Sequence, residues 1–340
     1  MARTAIRVAG KIDEVANGDD KDAKRRERVD ADDPDAPVVI TGICGRLGRR
    51  LARSLHRERT IIGIDRRPFR GKPKDIKHEA IDIRRKKTRD VIRAQPIAAV
   101  VHMGIMHNLR ASATEHHTWN VLGFQKLLDS IAQYGVPKLI VLSGAAVYGP
   151  SPDNPQFLGE DAPLMGSARF SELRDLIEVD MLAQSFFWKH PEVETVILRP
   201  AHILGTVRNA SSNYLRLPRV PTLMGFDPMV QVIHEDDVIR AMRLALRPGV
   251  RGVFNLAGPS PVSLSRLIQL AGRPTVAVPH PLAELALKRM WRFGMTSFPA
   301  AELEYIKFVC MVDTKRATEV LGFEPRHGLQ ETVDAVFQDE

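Results

Sequence analysis

The chain has 340 residues, 44% of them apolar and 26% charged, which suits an ordinary soluble globular protein with one large α/β domain and a smaller appended lobe. No run approaches the ~18 apolar residues of a membrane span. Met1 to Glu14 lacks the apolar core of a secretory signal, and the two cysteines, Cys44 and Cys310, build neither a disulfide framework nor a metal site, so a cytoplasmic protein without metal is expected. The net charge of +8 is concentrated between Arg46 and Arg93, where 18 Lys/Arg stand against 6 Asp/Glu. Because no aromatic residues interleave to stack bases, we read this stretch as solvated helix faces, and a nucleic-acid partner is not expected.

Residues 1–36 are rich in Lys, Arg, Asp and Glu with few large apolar side chains, and read as a flexible charged arm. Residues 37–200 then alternate short apolar strands with helices: strands at 37–41, 61–65, 98–102, 139–143 and 195–199, and helices after the first strand and over 112–133 and 170–189. That alternation predicts βαβ units and a Rossmann-type, doubly wound parallel sheet. After Pro200 prolines break the chain into short elements, including a strand at 252–256 and helices at 281–293 and 328–337. Residues 201–340 are expected to form a smaller mixed lobe beside a cleft, with some elements returning to the sheet.

The first strand runs into Thr41-Gly42-Ile43-Cys44-Gly45-Arg46-Leu47-Gly48 and then a helix. Gly42 suits a tight turn, Gly45 lets backbone approach a pyrophosphate, and Gly48 permits close helix–sheet packing; the helix N-terminus faces the phosphates. Asp65, at the end of the second strand, is placed to accept ribose hydroxyls, which favours NAD. Arg46, Arg66 and Arg67 put cations nearby, so NADP stays open. Contacts to the cofactor are therefore expected from Gly42, Cys44, Gly45, Arg46, Leu47 and Gly48, then from Asp65 and Arg66, and on the adenine side from Asp82 and Ile83. Further along they are expected from His102, Met103, Gly104, Asn120, Ser143, Arg174 and Pro200.

Together these motifs resemble the extended short-chain dehydrogenase/reductase family, which includes nucleotide-sugar epimerases and dehydratases. The resemblance spans roughly residues 37–335. It continues through Val147-Tyr148-Gly149, Leu198-Arg199-Pro200, the run from Val232 to Asp237, and Val312 to Pro325. It implies NAD(P)-dependent chemistry on a small-molecule substrate and a homodimer joined through the two long helices. It also implies a Tyr with a Lys four residues on, plus a Ser or Thr, as the acid/base set. By spacing, those positions hold Phe170, Arg174 and Gly144. Phe exchanges no proton and Gly carries no hydroxyl, so the site departs from the family's pattern. The substitutes are Ser143, one step from Gly144; His107, beyond the fourth strand; Tyr148, on the same loop; and Arg174 as a ribose anchor. On the substrate side Gln231 stands where relatives often carry an Arg that clamps diphosphate, with Arg199, Arg208, Arg216 and Arg219 as replacements. The apolar segment 281–299 reads as a lid helix or core packing before a lipid pocket. Three functions stay open: an oxidoreductase or epimerase with a non-standard site, a catalytically degenerate NAD(P)-binding sensor or scaffold, and a nucleic-acid-associated Rossmann protein.

Overall fold

A computed structural model describes residues 30–31, 33–105, 112–166, 171–293 and 300–338. The sheet begins with β1 (Val38–Thr41), β2 (Ile61–Ile64), β3 (Lys77–Glu79), β4 (Ala99–His102), β5 (Lys138–Leu142) and β6 (Glu194–Pro200). Between them run α1 (Arg46–Leu55), α2 (Lys86–Ala94), α3 (Ala113–His117), α4 (Gly123–Tyr134) and α5 (Ser171–Lys189). The single helix expected over 112–133 is α3 and α4 joined by a π-helical turn, Thr118–Leu122. β1 and β2 are buried at every position, as a strand covered on both faces requires.

Beyond Pro200 come β7 (His202–Leu204), α6 (Ala210–Leu215), β8 (Val220–Leu223), β9 (Met229–Val230), β10 (Val232–His234), α7 (Glu235–Ala245) and β11 (Gly252–Leu256). β12 (Val262–Ser263), α8 (Leu264–Leu270), β13 (Thr275–Val278), α9 (His280–Arg292) and α10 (Leu329–Asp334) complete the chain. The main sheet is parallel, in the order β11-β6-β5-β4-β1-β2-β3. Thus β11 returns to the sheet beside β6, while β7 to β10, β12 and β13 pair among themselves.

One apolar layer packs α1 and α7 on one face of the sheet, through Leu51, Leu55, Val238 and Met242. On the other face α2, α4 and α5 pack through Ile92, Phe124, Leu127, Ile131, Val179 and Phe186. A third cluster, built on Tyr214, Leu223, Leu267 and Val333, holds the lobe together. The connections leave β1 toward β2 on one side while β4 lies on the other, which opens a crevice at the carboxyl ends of these two strands.

Candidate functional site

The glycine turn sits over that crevice. Gly42 has φ 74°, and a Cβ on it would stand 2.8 Å from the Met103 carbonyl oxygen and 2.9 Å from Gly104 Cα, so β4 crosses directly against it. On Gly48 a Cβ would meet the Gly42 carbonyl oxygen at 2.5 Å, which fixes how closely α1 lies on the turn. Gly45 is different: its Cβ would lie 3.2 Å from the Gly42 oxygen and 4.0 Å from Arg67 Nη2, and would otherwise project into open space. The helix starts at Gly45 with no side-chain cap and no acidic residue in its first turn. A Cβ-free cradle at an uncapped, positive helix end fits a dinucleotide pyrophosphate.

Asp65 stands beside it. Its Oδ2 accepts the Cys44 N–H at 3.1 Å, so that amide of the turn is spent on orienting the carboxylate. Arg67 donates to the same carboxylate from its backbone N–H, Nε and Nη2 at 3.0, 3.0 and 2.8 Å. Burial alone would raise the Asp65 carboxyl, but these hydrogen bonds hold it below the usual carboxylate range. Burial, with Asp65 adjacent, pushes the Cys44 thiol up to about 11. On the adenine side Arg84 grips Asp82 from Nε at 3.0 Å and Nη2 at 2.6 Å, and Ile83 is buried. The Trp119 ring lies between the guanidinium groups of Arg66, at 4.7 Å, and Arg84, at 4.9 Å, and its Nε1 donates to the Gly104 carbonyl. The His102 side chain turns away from the crevice: Nδ1 shares a 2.8 Å hydrogen bond with the Thr41 hydroxyl, the ring stacks on Phe124, and burial pushes its pKa down to about 3. Asn120, on the π-helical turn, is buried and donates to Asp175 at 3.3 Å.

Two of the acid/base substitutes are committed to a buried ionic network. The Ser143 hydroxyl donates to Asp180 Oδ2 at 2.6 Å. Arg199, fully buried, closes on Asp180 through Nε at 2.9 Å and Nη2 at 2.6 Å, and its Nη1 donates to the Tyr148 hydroxyl at 2.7 Å. The Tyr148 hydroxyl donates in turn to Asn255 at 2.8 Å. Tyr148 and Ser143 therefore act as braces beneath the crevice. Arg174 is exposed on α5, on the side away from the sheet. The α5 side chain that reaches toward Gly144 is Leu176, whose Cδ2 would lie 4.0 Å from a Cβ there. Helical spacing places the family's Tyr/Lys face two residues later than the motif count puts it, because Leu176 and Asp180 share one face and Arg174 does not. His107 and Phe170 lie outside the described residues.

On the lobe side Gln231 is locked: its Oε1 accepts the Val312 N–H at 2.7 Å and its Nε2 donates to the Val312 carbonyl at 3.1 Å. Arg216 is likewise spent on the Gly205, Val207 and Val336 carbonyls. The residue missed by sequence reasoning is His202, on β7 just past the end of β6. Its Nδ1 shares a 3.0 Å hydrogen bond with the Ser211 hydroxyl, and its ring meets Tyr305 edge-on at 5.7 Å. Tyr305 in turn donates to the Ala146 carbonyl, which ties this group to the loop that carries Gly144. Burial pushes the His202 pKa down to about 4, so the imidazole is neutral at pH 7. Its one legible signal was a histidine three residues past Arg199 at a strand end.

Among the described residues, His234, Asp236 and His327 bring ligand atoms within 4.8 Å of one another. The two rings stack at 3.8 Å and 11°, however, and His234 Nδ1 accepts the Asp236 N–H as the cap of α7. Stacked rings aim their lone pairs in parallel planes, which suits a cap better than a shared ion.

Comparison with known proteins follows this geometry. The chain is 27% identical over 313 residues to an uncharacterized protein of Mycobacterium tuberculosis, covering 88% of this chain and 83% of that one. It is 22% identical over 321 residues to a UDP-glucuronate 4-epimerase of Thermodesulfobacterium geofontis, covering 86% and 92%. Among solved structures, the UDP-glucuronic acid 4-epimerase of Bacillus cereus in complex with UDP-glucuronic acid and NAD superposes with a TM-score of 0.68 at 17% identity, covering 88% of this chain and 98% of that one. No helix among the described residues is long and apolar enough to cross a membrane. The sequence pattern of the NAD dependent epimerase/dehydratase family matches residues 38–257, well over half of the chain. The protein is a member of that family, and NAD is its cofactor.

Proposed function

We propose that the protein is an NAD-dependent enzyme acting on a nucleotide-linked sugar, with His202 in place of the family's usual proton-transfer residue. The observation that carries this reading is the pairing of an intact dinucleotide turn, Gly42 to Gly48 with Asp65, with a neutral imidazole across the crevice from Gly144. Bound NAD supplies hydride acceptance and return. The chain's own residues do the rest: the turn and α1 hold the pyrophosphate, Asp65 the ribose, and Leu176 and Gly144 line an apolar floor that keeps water from the reacting carbon. His202, oriented by Ser211, holds or takes the proton of a sugar hydroxyl.

Incubating the protein with NAD+ and UDP-glucose or UDP-glucuronate, and following NADH absorbance and the sugar products, tests this. His202→Asn is expected to cut turnover by about 10²–10⁴-fold while leaving NAD+ affinity unchanged. Turnover that is indifferent to His202→Asn removes the residue from the mechanism. A second reading, an NAD-binding module without catalysis, is favoured by Gly144 and Leu176, which supply no proton donor. It predicts a thermal shift with NAD+ and none with either nucleotide sugar.

A further inference from the structure

The Asp65 carboxylate, which meets the adenosine ribose, has all of its acceptor positions in use. Oδ1 takes the backbone N–H and Nε of Arg67, and Oδ2 takes the Cys44 N–H and Arg67 Nη2. A carboxylate offers about four such positions, so a ribose diol must replace donors that are already there. The two backbone donors are fixed by the turn and by Pro68, which restricts the backbone of Arg67 to extended conformations. The guanidinium is the part that moves: its side chain is 59% exposed, against 6% for Asp65. The other nearby cations are engaged elsewhere, Arg66 stacking on Trp119 and Arg84 pairing with Asp82.

We propose that Arg67 decides how this site divides between NAD and NADP, by leaving Asp65 for the first and staying on it for the second. With NAD, the 2′- and 3′-hydroxyls take over the positions held by Nε and Nη2, and the guanidinium swings out to solvent. With NADP, the guanidinium remains on Asp65, cancels the charge that would repel a 2′-phosphate, and turns its remaining N–H donors to that phosphate. Asp65 alone would make the site exclusive for NAD; Asp65 with Arg67 makes it accept both. The inference rests on the family's cofactor and is independent of the sugar reading above.

Calorimetric titration of the full chain with NAD+ and with NADP+ tests it. Arg67→Ala is expected to weaken NADP+ at least about tenfold while leaving NAD+ unchanged or tighter, because only the phosphate loses a partner. Asp65→Asn is expected to do the reverse, weakening NAD+ and retaining NADP+. An NADP+/NAD+ affinity ratio in Arg67→Ala equal to that of the parent protein overturns the role of Arg67 while leaving the cofactor site standing. Failure of the parent protein to bind either dinucleotide overturns the site as well. Arg67 stands on the surface, so an unchanged melting temperature without ligand shows that the variant is folded.

Discussion

Arg199 carries a charge into a place with no solvent and is met there by Asp180, Tyr148 and the Glu160 carbonyl. Removing one partner strands the other, and such loss costs about 3–5 kcal/mol. Asp180→Asn is therefore expected to lower stability by that amount in urea unfolding, whereas a shift under 1 kcal/mol would mean the pair is not load-sharing. Tyr148→Phe deletes only the hydroxyl between Arg199 and Asn255, and is expected to cost about 1–3 kcal/mol with NAD+ affinity intact. Loss of turnover beyond the loss of folded protein would restore Tyr148 to the active site. These residues show what was legible. Leu198-Arg199-Pro200 and Val147-Tyr148-Gly149 stand out as motifs, but their partner Asp180 carries no local mark, since pairing across 19 residues is set by how α5 lies on the sheet. Asp65 was legible as an acidic strand end; that Arg67 would close on it was not, because either of two adjacent arginines satisfied the pattern.

At the scale of elements, the turn into α1 separates folding from binding. Gly48→Ala drives a Cβ to 2.5 Å from the Gly42 oxygen and 2.8 Å from Ile43 Cα, both backbone, so the helix must shift. Such overpacking is expected to cost about 1–3 kcal/mol as well as NAD+ affinity. Gly45 has an ordinary φ of −68°, and its Cβ would fill the cradle without striking the core. Gly45→Ala is expected to keep the melting temperature and weaken NAD+ about tenfold or more, because the pyrophosphate and the new methyl compete for one space. Equal NAD+ affinity in Gly45→Ala and the parent would place the pyrophosphate elsewhere. The element that sequence reasoning misjudged is α5. Counting from the motif put Arg174 at the ribose; two residues along a helix is a rotation of about 200°, enough to exchange the buried and solvent faces. Restoring a Tyr/Lys pair as Glu172→Tyr with Leu176→Lys is accordingly expected to raise turnover on UDP-glucose, and the same pair at positions 170 and 174 to leave it unchanged. The reverse result would return the motif count to favour.

The whole molecule responds to acid through histidines that fold in neutral. Burial holds His102 down to about 3 and His202 to about 4, against about 6.5 in an unfolded chain. Below pH 6.5 the unfolded chain binds protons that the folded one refuses, so stability is full above that pH and falls as pH drops toward 4. Each histidine contributes a slope of up to about 1.4 kcal/mol per pH unit. Urea midpoints at pH 7.5, 6 and 5 check this: the decline is expected to become shallower in His202→Asn, and a flat profile in the parent would show that neither ring is enclosed. The remaining feature of this scale is the outer side of the α4–α5 layer. Leu122, Met181 and Trp188 are 42%, 58% and 78% exposed there, and Arg174, Met181 and Trp188 recur every seven residues along one stripe of α5. A stripe with that period fits a second helix pair of the same kind, which is the two-fold arrangement implied by the resemblance, in which one patch meets its own copy. The protein is accordingly expected to be dimeric by light scattering. Met181→Glu with Trp188→Glu places two carboxylates against their own symmetry mates and is expected to give a folded monomer that still binds NAD+. A parent protein that is monomeric at high concentration would remove the dimer and leave those side chains as ordinary surface.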